Sequence, residues 1–129
     1  MDEKSLDNRV ALVTGASRGL GRAVAVRLAA CGAKVAVNYL SSGEEAKKVS
    51  QEIEDLGGQA MLCGADVADT KAVREMTRQV VSQWGKIAIL VNNAGIVRDT
   101  MLLRMPDEAW DDVMNTNLRG AYLCTKYAL

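Results

Sequence analysis

The chain has 129 residues, 49% of them hydrophobic and 25% charged, with Lys plus Arg equal to Asp plus Glu at 16 each. That is the make-up of one small globular domain. The balanced charge offers no net field for nucleic acid or a membrane surface, and no apolar run approaches the roughly 18 residues that span a bilayer. Histidine is absent and Cys31, Cys63 and Cys124 are widely spaced. This argues against a zinc site and suits buried thiols in a reducing cytoplasm.

Residues 1–9 are polar and acidic, unlike a secretory signal or transit peptide, and are expected to form a loose lead-in. Val10, Ala11, Leu12 and Val13 make a short apolar run, the mark of a strand buried on both faces. Thr14 ends it, and Gly15, Gly19 and Gly21 make a tight turn poor in side chains. A helix is predicted from Leu20, with Leu20, Val24 and Leu28 on one apolar face and Gly32 as its C′ residue. Lys34 to Tyr39 reads as a second strand. Ser42 and Glu45 read as a capping box for a helix with an apolar stripe of Ala46, Val49, Ile53 and Leu56, ended by Gly57 and Gly58.

Gln59 to Ala65 reads as a third strand, with Asp66 and Val67 at its end. A third helix is predicted from an Asp69 N-cap to Trp84, with Val73, Met76, Val80 and Trp84 inward and Gly85 closing it. Ile87 to Val91 is a fourth strand, ending in Asn92-Asn93-Ala94-Gly95. Past Pro106 a long helix is predicted to the terminus, with Trp110, Val113, Met114, Ala121, Cys124 and Ala128 in one broad stripe. Alternation of strand and helix predicts an α/β fold with a parallel sheet and right-handed crossovers. It is half of a doubly wound, Rossmann-type sheet. By analogy with dinucleotide folds the strand order is 3-2-1-4, and residues 1–129 are one incomplete domain.

A strand, a glycine turn and a helix N-terminus together form an anion site, because backbone N–H groups and the helix dipole both face the ligand. The spacing here is G-x-x-x-G-x-G. An acidic residue about 20 residues past the glycines would bond the ribose hydroxyls of NAD. That place holds Asn38, followed by Tyr39, Leu40, Ser41 and Ser42, so no carboxylate repels a 2′-phosphate. Arg18 in the turn can grip such a phosphate bidentately, with Ser41 and Ser42 as further donors, which favours NADP. The plainer reading makes Arg18 a solvated turn residue and Ser42 a helix cap.

Asn92 and Asn93 can tie strand ends together, meet a cofactor, or serve a turn. Asn117 falls in the middle of the last helix's apolar stripe. A buried amide without partners costs about 1–3 kcal/mol, so backbone, water or a catalytic group should bond it. Tyr122 and Lys126 have the Y-x-x-x-K spacing of a tyrosine acid and its lysine. They lie on the same helix as Asn117, only five and nine residues on, and are set aside as a chance match.

T-G-A-S-R-G-L-G at 14–21, Asp66-Val67, N-N-A-G at 92–95 and Asn117 in N-T-N-L occur in an order and spacing that resembles the short-chain dehydrogenase/reductase family over nearly the whole chain. V-N-Y-L-S-S at 37–42, N-N-A-G-I-V-R-D at 92–99, L-L-R-M at 102–105 and N-L-R-G-A-Y-L-C-T-K at 117–126 are similar to members that reduce 3-oxoacyl thioesters on acyl carrier protein in fatty acid synthesis.

The resemblance implies a cytoplasmic NADPH-dependent oxidoreductase. Gly15, Ala16, Ser17, Arg18, Gly19, Leu20 and Gly21 would hold the pyrophosphate and 2′-phosphate. Asn38, Tyr39, Ser41 and Ser42 would line the adenosine phosphate end, and Asp66 and Val67 the adenine. Asn93, Ala94 and Gly95 would border the nicotinamide-side ribose. Asn117 would be the catalytic asparagine that holds a water in a proton relay. It further implies an acyl substrate on acyl carrier protein or coenzyme A, and a homotetramer at full length.

The family's catalytic serine and Tyr-x-x-x-Lys lie beyond this last helix, and the chain stops at Leu129 before either. The 129 residues are therefore expected to be an N-terminal half, inactive alone. The alternatives are a non-catalytic dinucleotide-binding or interaction module, or a family dehydrogenase of other substrate.

Overall fold

Short apolar runs that cannot face water on either side stack as a parallel sheet with helices on both faces. The computed structural model, which describes residues 5–95 and 105–128, has a four-stranded sheet in the order β3-β2-β1-β4. The strands are β1 (Val10–Val13), β2 (Lys34–Tyr39), β3 (Gln59–Gly64) and β4 (Ile87–Val91). The helices are α1 (Gly19–Ala30), α2 (Gly43–Asp55), α3 (Thr70–Trp84), α4 (Asp107–Val113) and α5 (Gly120–Ala128), with a π-helical segment (Met114–Arg119) joining the last two. β1 lies between β2, where Val10 pairs with Lys34, and β4, where Val13 pairs with Val91. All strand pairs are parallel. The fold is α/β of Rossmann type, as the sequence predicts.

Side-chain alternation along the strands feeds two cores. Ala11, Val13, Val35 and Val37 pack with Ala25, Ala29, Ala46, Val49 and Ile53 of α1 and α2. Leu12, Ala36 and Cys63 pack on the other face with Val73, Met76 and Val80 of α3 and Leu123 and Cys124 of α5. All three cysteines are free and buried, and burial pushes the Cys63 and Cys124 thiols up to about 11. They therefore stay protonated near neutral pH. No described helix is long and apolar enough to cross a membrane.

Four local expectations need correction. Residues 5–9 are not loose: Leu6 N–H donates to Cys31 O at 2.9 Å, Lys34 N–H donates to Arg9 O at 2.8 Å, and Leu6 packs on the α1/α2 core. In α1 the buried face is Gly21, Ala25 and Ala29, while Leu20 is 72% exposed. The helix enters so close to the glycine turn that only small residues fit beneath it. At α2 the N-cap is Ser42, but its side chain makes no capping bond and Glu45 pairs with Lys48 instead, so no capping box forms. Leu56, just past the last turn, is exposed.

The fourth correction concerns the final helix. Gly120 N–H bonds back to Asn115 O, five residues earlier. This wider turn breaks the 100° phase on which the single stripe rests. Cys124 is buried as expected, yet Trp110 is exposed and Leu123 is buried instead. Of the stretches predicted beyond β4, residues 96–104 and 129 lie outside the described residues.

The α3 cap is as predicted. Asp69 accepts from Lys71 N at 2.9 Å and from Ala72 N at 3.3 Å. Asp69→Ala is expected to cost about 1 kcal/mol, read as a lowered midpoint in urea unfolding with unchanged slope.

Candidate functional site

The C-terminal ends of β1, β2, β3 and β4 converge on a cleft of about 430 Å³. In an open parallel sheet this is the edge where ligands bind. The turn after β1 is braced from both sides. Thr14 Oγ1 accepts from Asn93 N at 3.0 Å and Ala94 N at 2.9 Å, and donates to Val91 O at 3.4 Å. Asn93 Nδ2 donates to Gly15 O at 2.9 Å. On the opposite side Ala16 N–H donates to Asn38 O at 2.8 Å, and Gly15 N–H to Asn38 Oδ1 at 3.1 Å.

The glycines have separate duties. Gly15 and Gly19 both sit at φ +59°, which disfavours a side chain. A Cβ on Gly15 would lie 2.8 Å from Ala94 Cα, and one on Gly21 would run into Gly15 O and Asn93 Nδ2. At Gly19 nothing lies within 4 Å, so that side of the turn faces open space. The N–H groups from Ser17 to Gly21 find no acceptor among the described residues. The start of α1 thus presents free donors and a positive dipole end to the cleft mouth, a fit for a diphosphate.

The structure brings Gly15, Ser17, Arg18, Asn38, Tyr39, Ser41, Ser42, Asp66, Val67, Asn93, Ala94 and Gly95 together around this one cleft. Arg18 Nη2 lies 3.5 Å from Ser42 Oγ. Asp66 Oδ1 accepts from Ala68 N at 2.9 Å, which shapes the turn after β3. Three residues sequence reasoning missed, Leu40, Ala65 and Thr116, also line it. Each adjoins a predicted site residue, and that adjacency was the available signal.

Not every predicted residue presents its side chain to the cleft. Ala16 is buried beneath the turn, Leu20 points to solvent, and Gly21 is a packing position. Asn38 reaches the cleft, but its side chain is turned inward and only 2% exposed. Asn117 lies in the π-helical segment and is exposed, not buried in the apolar stripe. Its amide oxygen is 3.1 Å from the point where a Cβ on Gly95 would stand. It therefore borders the end of β4, next to Thr116 of the cleft wall. Asn92 Nδ2 donates to Thr125 Oγ1 at 3.2 Å, and Lys126 stacks on the Tyr122 and Tyr127 rings at 5.8 and 5.4 Å. Among the described residues no cluster of three or more His, Cys, Asp or Glu could hold a metal.

A glycine turn running into a helix N-terminus, at the ligand edge of a 3-2-1-4 parallel sheet, defines the Rossmann-type nucleotide-binding class. Within that class the chain belongs to the short-chain dehydrogenase/reductase family, an oxidoreductase family that uses nicotinamide dinucleotides: the family model for short chain dehydrogenase matches residues 9–129.

The chain is 51% identical over 118 residues to a 3-oxoacyl-[acyl-carrier-protein] reductase of Staphylococcus aureus, covering 92% of this chain and 48% of that protein. It is 49% identical over 122 residues to the reductase of the same name from Synechocystis, covering 95% and 49%. A short-chain dehydrogenase from Burkholderia cenocepacia, solved in complex with NADP, superposes with a TM-score of 0.92 at 44% identity, over 95% of this chain and 50% of that one. A dehydrogenase/reductase from Sinorhizobium meliloti gives 0.94 at 40%, over 98% and 50%. The chain spans about half the length of the relatives it matches.

Proposed function

We propose that residues 1–129 are the cofactor-binding domain of an NADPH-dependent reductase that converts 3-oxoacyl thioesters, carried on acyl carrier protein or coenzyme A, to 3-hydroxyacyl thioesters. The observation that carries the cofactor reading is the pairing of Arg18 with Ser42 at the cleft mouth, beside a β2 end that runs Asn38-Tyr39-Leu40-Ser41-Ser42 with no carboxylate. A guanidinium and hydroxyls there match a 2′-phosphate, and an acid there would repel it.

In this reading the N–H groups from Ser17 to Gly21 hold the pyrophosphate. Arg18, Ser41 and Ser42 hold the 2′-phosphate, and Tyr39, Asp66 and Val67 border the adenosine. Asn93, Ala94 and Gly95 border the nicotinamide-side ribose. When bound, the nicotinamide supplies the hydride. Asn117, beside Gly95, holds a water in the proton relay. The substrate and homotetramer of this reading would also draw on the half of its relatives' length that these 129 residues do not match. Working in the cytoplasm accords with three free buried thiols.

The substrate reading is supported by about half identity to reductases of that name. Its test is NADPH oxidation, followed by absorbance, by the full-length protein with acetoacetyl thioesters. Turnover is expected. Failure with every 3-oxoacyl thioester, alongside reduction of another carbonyl class, would contradict it.

A further inference from the structure

The side chain of Asn38 is buried in the floor of the cleft. Its Oδ1 accepts from Gly15 N–H at 3.1 Å. Its Nδ2 donates to Cys63 O and to Ala65 O, both at 3.1 Å, with Met76 Sδ behind at 3.4 Å. Its backbone carbonyl holds Ala16 N–H. One residue of β2 thereby fixes two successive N–H groups of the glycine turn and two carbonyls of the strand end that leads into Asp66 and Val67. No other side chain among the described residues bonds both walls.

We infer that Asn38 is a positioning residue for the dinucleotide, setting the distance and angle between the phosphate-binding turn and the adenine-side wall, and that it rests on the cofactor reading above. An amide is the side chain that offers an acceptor to the turn and two N–H donors to the strand. A carboxylate there would face two carbonyl oxygens, so an acid at this position could not bond a ribose. The position that can carry a ribose-selecting side chain is its neighbour, Tyr39, which alternation turns to the other face of the sheet.

The test is NADP+ binding to wild type, Asn38→Ala and Asn38→Asp at pH 6 and pH 8, with the far-ultraviolet circular dichroism of each variant recorded. The titratable groups around the site are the Cys63 thiol, which burial pushes up to about 11, and Arg18 and Asp66 at the cleft surface. All are present in the wild type and cancel in the ratio of variant to wild type.

Asn38→Ala should bind NADP+ at least tenfold more weakly at both pH values. Asn38→Asp should bind within about threefold of wild type at pH 6, where a neutral acid still accepts from Gly15 and donates to one carbonyl. At pH 8, with the acid ionised, it should fall at least tenfold. Both variants within threefold of wild type at both pH values would overturn the inference. A loss in Asn38→Asp that is equal at the two pH values would mark a merely structural role and also overturn it.

Should a variant not fold, amide exchange in the wild type decides. The N–H groups of Gly15 and Ala16 should be protected in the free protein, and exchange there as fast as at Ser17 would overturn the inference. A wild type that binds no dinucleotide sinks the cofactor reading, and the inference with it. A wild type that binds with the variants unaffected sinks the inference alone.

Discussion

Gly21→Ala should abolish detectable dinucleotide binding and destabilise the fold by about 2–3 kcal/mol, whereas Gly19→Ala, two residues earlier, should cost about 1 kcal/mol. The Cβ of an alanine at 21 runs into Gly15 O and Asn93 Nδ2, the pair whose 2.9 Å bond fixes the turn to the end of β4. Relief requires moving α1 off the sheet, and overpacking of this kind costs about 1–3 kcal/mol, with loss of this partly buried hydrogen bond adding about 1 kcal/mol. At Gly19 there is open space, so only the backbone strain of φ +59° remains. Urea unfolding of the two variants side by side checks this. Equal stability would mean the close approach of α1 to the turn is not fixed by Gly21.

Arg18→Ala is expected to weaken NADP+ binding by about 10- to 100-fold and leave NAD+ binding within about threefold. A charge-assisted hydrogen bond contributes about 1.5–3 kcal/mol, and Arg18 reaches the cleft mouth beside Ser42 without bracing the turn beneath it. Because Arg18 is exposed, the advantage should shrink as salt rises. Parallel titrations at low and moderate ionic strength read both effects. An equal loss for NADP+ and NAD+ would assign Arg18 to the pyrophosphate instead of the 2′-phosphate.

How legible these features were depended on which physical rule governed each one. Lys34–Tyr39 and Ile87–Val91 were readable to the residue, because each is a short run rich in β-branched and apolar residues, bounded by turn residues. Asp69 was readable because capping is local chemistry, complete within four residues. On α1 only part of the expected face holds: Val24 and Leu28 pack at the edge of the core, but Leu20 is exposed, because periodicity favours the largest apolar residues. Close approach of backbone to backbone selects the smallest, Gly21, Ala25 and Ala29.

The cleft-lining residues were readable because they cluster at strand ends, where the topology brings them together. The direction of the Asn38 side chain was not. In a sheet apolar on both faces, alternation leaves no polar-out signal, and only the pairing of Asn38 with Cys63 across β2 and β3 shows where the amide points. Asn117 was misplaced for a related reason. Its helix was read at a uniform 100° per residue, and the π-helical turn through Met114–Arg119 breaks that phase.

The measurement that bears most directly on the account is a pair of titrations of the wild-type protein with NADP+ and NAD+, followed by fluorescence or calorimetry. Binding of NADP+ at least tenfold tighter than NAD+ is the predicted result, set by Arg18, Ser41 and Ser42 around a β2 end without a carboxylate. NAD+ bound as tightly as NADP+ would contradict it, and would leave the glycine turn as a general diphosphate site with no preference at the ribose.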